Sequence, residues 1–85
     1  MPELSRFLGI VIAMYYRDHG PPHFHALYGE FEASVSITTG ELNGDLPKRA
    51  LSIVQEWRLA HRNDLLSAWS LAQVQQPLPK IDALE

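Results

Sequence analysis

Eighty-five residues without a cysteine, carrying a formal net charge of −3 at pH 7, bound the chain to one small core that has neither a disulfide framework nor a thiolate zinc site to staple it. The acidic balance argues against a general nucleic-acid coat, for which a basic domain is expected. The charges are nonetheless segregated: Glu30, Glu32, Glu41 and Asp45 precede Lys48, Arg49, Arg58 and Arg62, so a localised contact to phosphate or to an acidic partner is still open.

At the amino terminus, the apolar run Phe7 to Tyr16 is far shorter than the ~20 residues that span a bilayer, and it lacks a basic leader and a small-residue cleavage site. A cytoplasmic protein with no export signal and no membrane segment is the expectation. β-branched and aromatic residues predict a first strand over Ile10–Tyr16. One of its faces carries Ile10, Ile12, Met14 and Tyr16, the other Val11, Ala13 and Tyr15, so it calls for cover on two sides. A second strand over His23–Tyr28 points Phe24, Ala26 and Tyr28 one way and His23, His25 and Leu27 the other. Gly29-Glu30 supplies a hairpin turn, after which Phe31, Ala33, Val35 and Ile37 alternate with Glu32, Ser34 and Ser36. Thr39-Gly40 turns the chain toward a short fourth strand at Glu41-Leu42, which Asn43-Gly44 breaks.

Asp45 reads as an N-cap with Pro47 in the first turn of a helix. On its wheel Ala50, Ile53, Val54, Trp57, Ala60 and His61 share one side, and Lys48, Ser52, Gln55, Arg58 and Arg62 the other. The pattern breaks near Arg62-Asn63-Asp64, and a second helix turns Leu65, Ala68, Trp69 and Ala72 inward until Pro77 stops it. The segment PLPKIDALE reads as a surface tail or a short docked strand. The expected fold class is α+β: one domain over 1–85, an antiparallel β-meander of three to four strands (1–44) covered on one face by two helices (45–76), with a tail (77–85). Its core sets Phe24, Ala26, Tyr28, Phe31, Ala33, Val35 and Ile37 against Ala50, Val54, Trp57 and Trp69, and leaves His23, His25, Ser34 and Ser36 on the open face.

The stretch DHGPPHFHA, Asp18 to Ala26, holds three of the four histidines around a Gly-Pro-Pro corner stiffened by its two prolines. Residues two apart on a strand project from the same side about 6–7 Å apart, so His23 and His25 form a pair. Such a pair suits three kinds of work. With Arg17 and Tyr15 as companions, His23 and His25 are candidates for general acid and base in a metal-independent ribonuclease. With His19 or Asp18 from the loop, they are candidates for metal ligands, although no cofactor is required by the pattern. As amphipathic rings they also fit a protein-binding surface, or loop caps that hydrogen-bond backbone. His61, on the apolar side of its helix, reads as a core histidine remote from this pair, and Trp57 and Trp69 as core residues. Gly-rich phosphate loops, serine-nucleophile motifs and paired carboxylates do not occur.

Met14, Tyr15, Asp18, His19, Pro21, Pro22, His23, Phe24, His25, Ala26 and Tyr28, with GDLPKRAL, EW and HRNDLLSAW further on, resemble the bacterial family known as domain of unknown function 4160 over nearly the whole chain. That resemblance implies no reaction. It implies a two-protein module similar to toxin–antitoxin pairs, the second member being a small protein encoded by a neighbouring gene. The first strand, apolar on both faces, further predicts an interface made by Val11, Ala13 and Tyr15, or by the opposite set, beside His23 and His25, occupied by that partner or by a second copy of the chain in a homodimer.

Overall fold

A computed structural model describes residues 2–84. Its five antiparallel strands, β1 (Glu3–Phe7), β2 (Ile10–Ala13), β3 (His23–Tyr28), β4 (Phe31–Ser36) and β5 (Leu42–Gly44), lie side by side in chain order. Two helices follow, α1 (Lys48–Ala60) and α2 (Arg62–Gln73). This is the expected α+β meander with one strand more. The extra strand is β1, and the turn that follows it lies inside the apolar run Phe7 to Tyr16, which reads as uninterrupted. Leu8 (φ 50) and Gly9 (φ 80) both take positive φ, which makes the two-residue turn that sets Phe7 opposite Ile10. Leucine gives little warning of such a turn, and Leu8 stays exposed at its tip.

Alternation builds the core. Ile10, Ile12 and Met14, then Phe24 and Ala26, then Ala33, Val35 and Ile37 are buried on one sheet face. Ala50, Val54 and Trp57 of α1 and Leu65, Ala68 and Ala72 of α2 complete the same cluster. Trp57 is its largest member. Its ring lies 5.4 Å from that of Phe7 and 5.8 Å from that of Phe24, and burying an indole of this kind removes roughly 150–250 Å² from water, worth about 4–6 kcal/mol.

Several sequence expectations are corrected. Tyr28 and Phe31, predicted in the core, are each 36% exposed, because they flank the Gly29-Glu30 turn at the end of the β3–β4 hairpin. Asp45 does not cap α1. Its N–H donates instead to the Glu32 carbonyl at 3.2 Å, continuing the β4–β5 ladder, and Pro47 occupies the cap position without a side-chain hydrogen bond. Arg58, assigned to the polar side of α1, is buried. It reaches the Ile37 carbonyl through Nη1 at 3.0 Å and Gln55 Oε1 through Nε at 2.8 Å. Burial, with nearby Arg62, pulls its guanidinium below the ordinary range.

α2 ends before Pro77. Gln75 takes φ 58, its N–H bonds to Ala72 and that of Gln76 to Leu71, the two bonds of a Schellman stop. The tail beyond is docked. Ile81 is buried, its N–H donates to the Leu4 carbonyl at 2.8 Å, and Lys80 Nζ reaches the Glu3 carbonyl at 3.0 Å, so the tail covers the outer edge of β1. Among the described residues no helix is long and apolar enough to cross a membrane.

Candidate functional site

With both helices on one face, pairing alone fixes what the other presents. Val11 lies opposite Leu27, and Leu27 opposite Glu32. In the next row Ala13, His25, Ser34 and Asn43 follow one another across four strands. His23 stands opposite Ser36. Phe24 and Ala26 are fully buried while His23, His25 and Leu27 are only partly so, which is the register read from the sequence. Val11 is half-buried, Tyr15 is 40% exposed, and Ala13 is 1% exposed, so Ala13 lies beneath its neighbours and the apolar patch consists of Val11, Leu27 and Tyr15.

The loop before β3 is held at both ends. Arg17 takes φ 54 and its N–H donates to the Ala72 carbonyl at 3.1 Å. Gln73 Nε2 donates to the Asp18 carbonyl at 3.3 Å. At the far end the N–H of Ile37 donates to Pro22 at 3.0 Å, extending the β3–β4 ladder into the Pro-Pro corner. The end of α2 and the start of β3 thereby fix where Asp18 sits.

Asp18 occupies the space between the two histidines. Its Oδ1 accepts the His19 N–H at 2.8 Å, while Oδ2 lies 2.9 Å from His23 Nε2 and 3.5 Å from His25 Nε2. Burial pushes the Asp18 carboxyl upward, but the His19 N–H together with His25 and His23 outweighs this and holds it below its ordinary range. The other nitrogen of His23, Nδ1, lies 2.8 Å from the Pro21 carbonyl. A carbonyl only accepts, so Nδ1 carries a hydrogen, and a neutral imidazole has no second one for Nε2. His23 Nε2 facing a carboxylate oxygen therefore requires a second proton or a cation. Aromatic neighbours flank both rings. Tyr15 meets His25 edge-on with centroids 4.5 Å apart, and Trp69 lies 5.1 Å from His23. The side chains of His23, His25 and Asp18 keep 19%, 15% and 26% of their surface, enough for a small solute to reach.

A groove of about 340 Å³ opens beside His23, lined among others by His19, Ser34, Ser36, Thr38 and Asn43. Of the residues singled out in the sequence, Asp18, His23, His25 and Tyr15 come together. His19 is exposed and contributes to the cluster its backbone N–H. Arg17 is exposed, and among the described residues its guanidinium makes no ion pair. His61 sits at the α1–α2 junction, its ring 5.3 Å from Trp57 and its Nδ1 3.4 Å from Asp64. Trp69, expected wholly in the core, is half-buried against His23. Its part in the site was hidden because an inward wheel position does not tell which end of a sheet a helix reaches.

The model of one protein family, Domain of unknown function (DUF4160), matches residues 9–70, from the start of β2 into α2, and the chain belongs to that family. No curated protein and no solved structure matches it.

Proposed function

We propose that this chain is a partner-binding protein, one half of a bacterial toxin–antitoxin-like two-protein module acting in the cytoplasm, and that the open sheet face is its working surface. One observation carries the reading: both helices pack on the same side of the sheet, and the uncovered side brings Val11, Leu27 and Tyr15 together around His25. Apolar side chains surrounded by polar ones are the usual anatomy of an interface centre. Here the surround is Arg6 opposite Val11, Glu32 opposite Leu27, and Ser34 opposite His25. The occupant is the small protein of the neighbouring gene.

Co-expression tests this. The two proteins should co-purify, and growth of cells expressing one of them should change when the other is supplied. The double variant Val11→Glu/Leu27→Lys, whose side chains sit outside the core and continue the alternation of charge from Arg6 to Glu32, should keep its melting temperature within a few degrees and lose the complex. Retention of the complex by that variant would overturn the assignment of the face. Degradation of cellular RNA by the chain alone, abolished by His23→Ala or His25→Ala, would replace the reading with that of a small ribonuclease.

A further inference from the structure

We infer that Asp18, His23 and His25 form a binding site for a divalent first-row transition ion, with Asp18 Oδ2 and the Nε2 atoms of both histidines as ligands. The inference is independent of the partner reading, since the site lies wholly within one chain. The three ligand atoms lie within 4.8 Å of one another, at 2.9 Å and 3.5 Å along the two Asp18 contacts. Zinc with bonds near 2.0–2.1 Å spaces tetrahedral ligands about 3.3–3.4 Å apart. Adjustments of an ångström or so, within the reach of side-chain rotation, bring the set to that spacing.

What surrounds the ligands is already arranged for such an ion. Metal-bound histidine characteristically donates its other N–H to a carbonyl or carboxylate, which fixes tautomer and ring plane, and His23 Nδ1 does so to Pro21 at 2.8 Å. Pro21 is itself held in the rigid Pro-Pro corner. The bond from the His19 N–H occupies Asp18 Oδ1 and leaves Oδ2 turned toward the rings. An ion at this point supplies the positive charge that His23 Nε2 and the carboxylate both face, in place of an extra proton. Two imidazoles and one carboxylate suit zinc and its first-row neighbours rather than calcium or magnesium, which prefer oxygen cages. Three protein ligands also leave a position open.

Zinc chloride added to untagged, chelator-treated full-length protein is the probe, followed by calorimetry and by nitrogen-15 spectra of the histidine rings. One ion per chain is expected, with the Nε2 resonances of His23 and His25 moving on binding, His23 Nδ1 keeping its hydrogen, and His61 unchanged. His25→Gln and Asp18→Asn should each weaken binding about tenfold or more, whereas His19→Ala, which keeps the backbone N–H, should stay within about twofold. If a variant loses its fold, the wild-type ring spectra decide the matter alone. Failure of zinc to saturate a site below about 1 mM would overturn the assignment, as would shifts carried by His61, or a loss with His19→Ala equal to that with His25→Gln.

Discussion

The indole Nε1 of Trp57 donates to the carbonyl of Asp82 at 2.8 Å, tying the centre of the core to the carboxy-terminal tail. Together with the bond from Ile81 to Leu4, it makes the tail a structural element of a chain too small to spare one. Ile81→Ala should therefore cost about 2 kcal/mol, the lower end for a buried aliphatic side chain, lowering the melting temperature by about 8–16 °C for a chain of this size. Thermal unfolding followed by circular dichroism checks it. A change under about 0.5 kcal/mol, the scale of an ordinary surface substitution, would mean that the tail is not docked in solution.

Arg58 gives the second prediction. Its buried guanidinium spans Ile37 and Gln55, so Arg58→Ala removes the donors and leaves a cavity beside an unpaired carbonyl. A loss of about 2–4 kcal/mol is expected in urea denaturation. Arg58→Lys should recover less than half of it, because an ammonium cannot reproduce the planar fork that serves both oxygens. Full recovery by lysine would show that only the charge matters.

Gly44 closes the sheet. At φ +116 it sits where an added Cβ would lie 2.6 Å from the Glu32 carbonyl oxygen and 2.8 Å from the Ala33 Cα, both backbone atoms of the paired strand. Gly44→Ala should cost about 1–3 kcal/mol through strain, and more if β5 detaches. Gly20→Ala is the control, since its φ is +86 but nothing lies within 4 Å of the added Cβ. Equal effects of the two substitutions would remove the steric explanation.

The β3–β4 hairpin and the face that bears the histidines were legible in the sequence because strand alternation leaves no choice once one side is apolar. Phe24 and Ala26 inward, and His23 and His25 outward, follow from period two alone. β1 was not legible, because the residue that starts its turn is Leu8. Burial of Arg58 was equally hidden, since a helical wheel places its charge at the polar edge and cannot show the Ile37 carbonyl waiting there. Within the site, the nearness of Asp18 to both rings depends on how α2 pins the loop through Ala72 and Gln73. That is a contact between residues more than fifty positions apart, and local spacing favours Asp18 and His19 alike. The Cβ alternation that identified the pair thus could not choose its third member.

Asp18 supplies the last prediction, for protein kept free of metal with a chelator. Its carboxyl is held below the ordinary range, the upward push of burial being outweighed by the His19 N–H, His25 and His23. A group with a depressed folded value stabilises the fold above its unfolded value, near 3.9 for aspartate, and loses that contribution as pH falls through the folded value. Asp18→Asn keeps an acceptor for the His19 N–H while removing the charge and the titration. The wild type should accordingly melt higher than Asp18→Asn at pH 5, and the gap should narrow as the pH is lowered from about 4 toward 2. Melting curves of the two proteins across that range measure it directly. A gap that stays constant, or widens in acid, would show that the folded chain does not favour the ionised carboxyl, and the placement of Asp18 between the two rings would have to be revised.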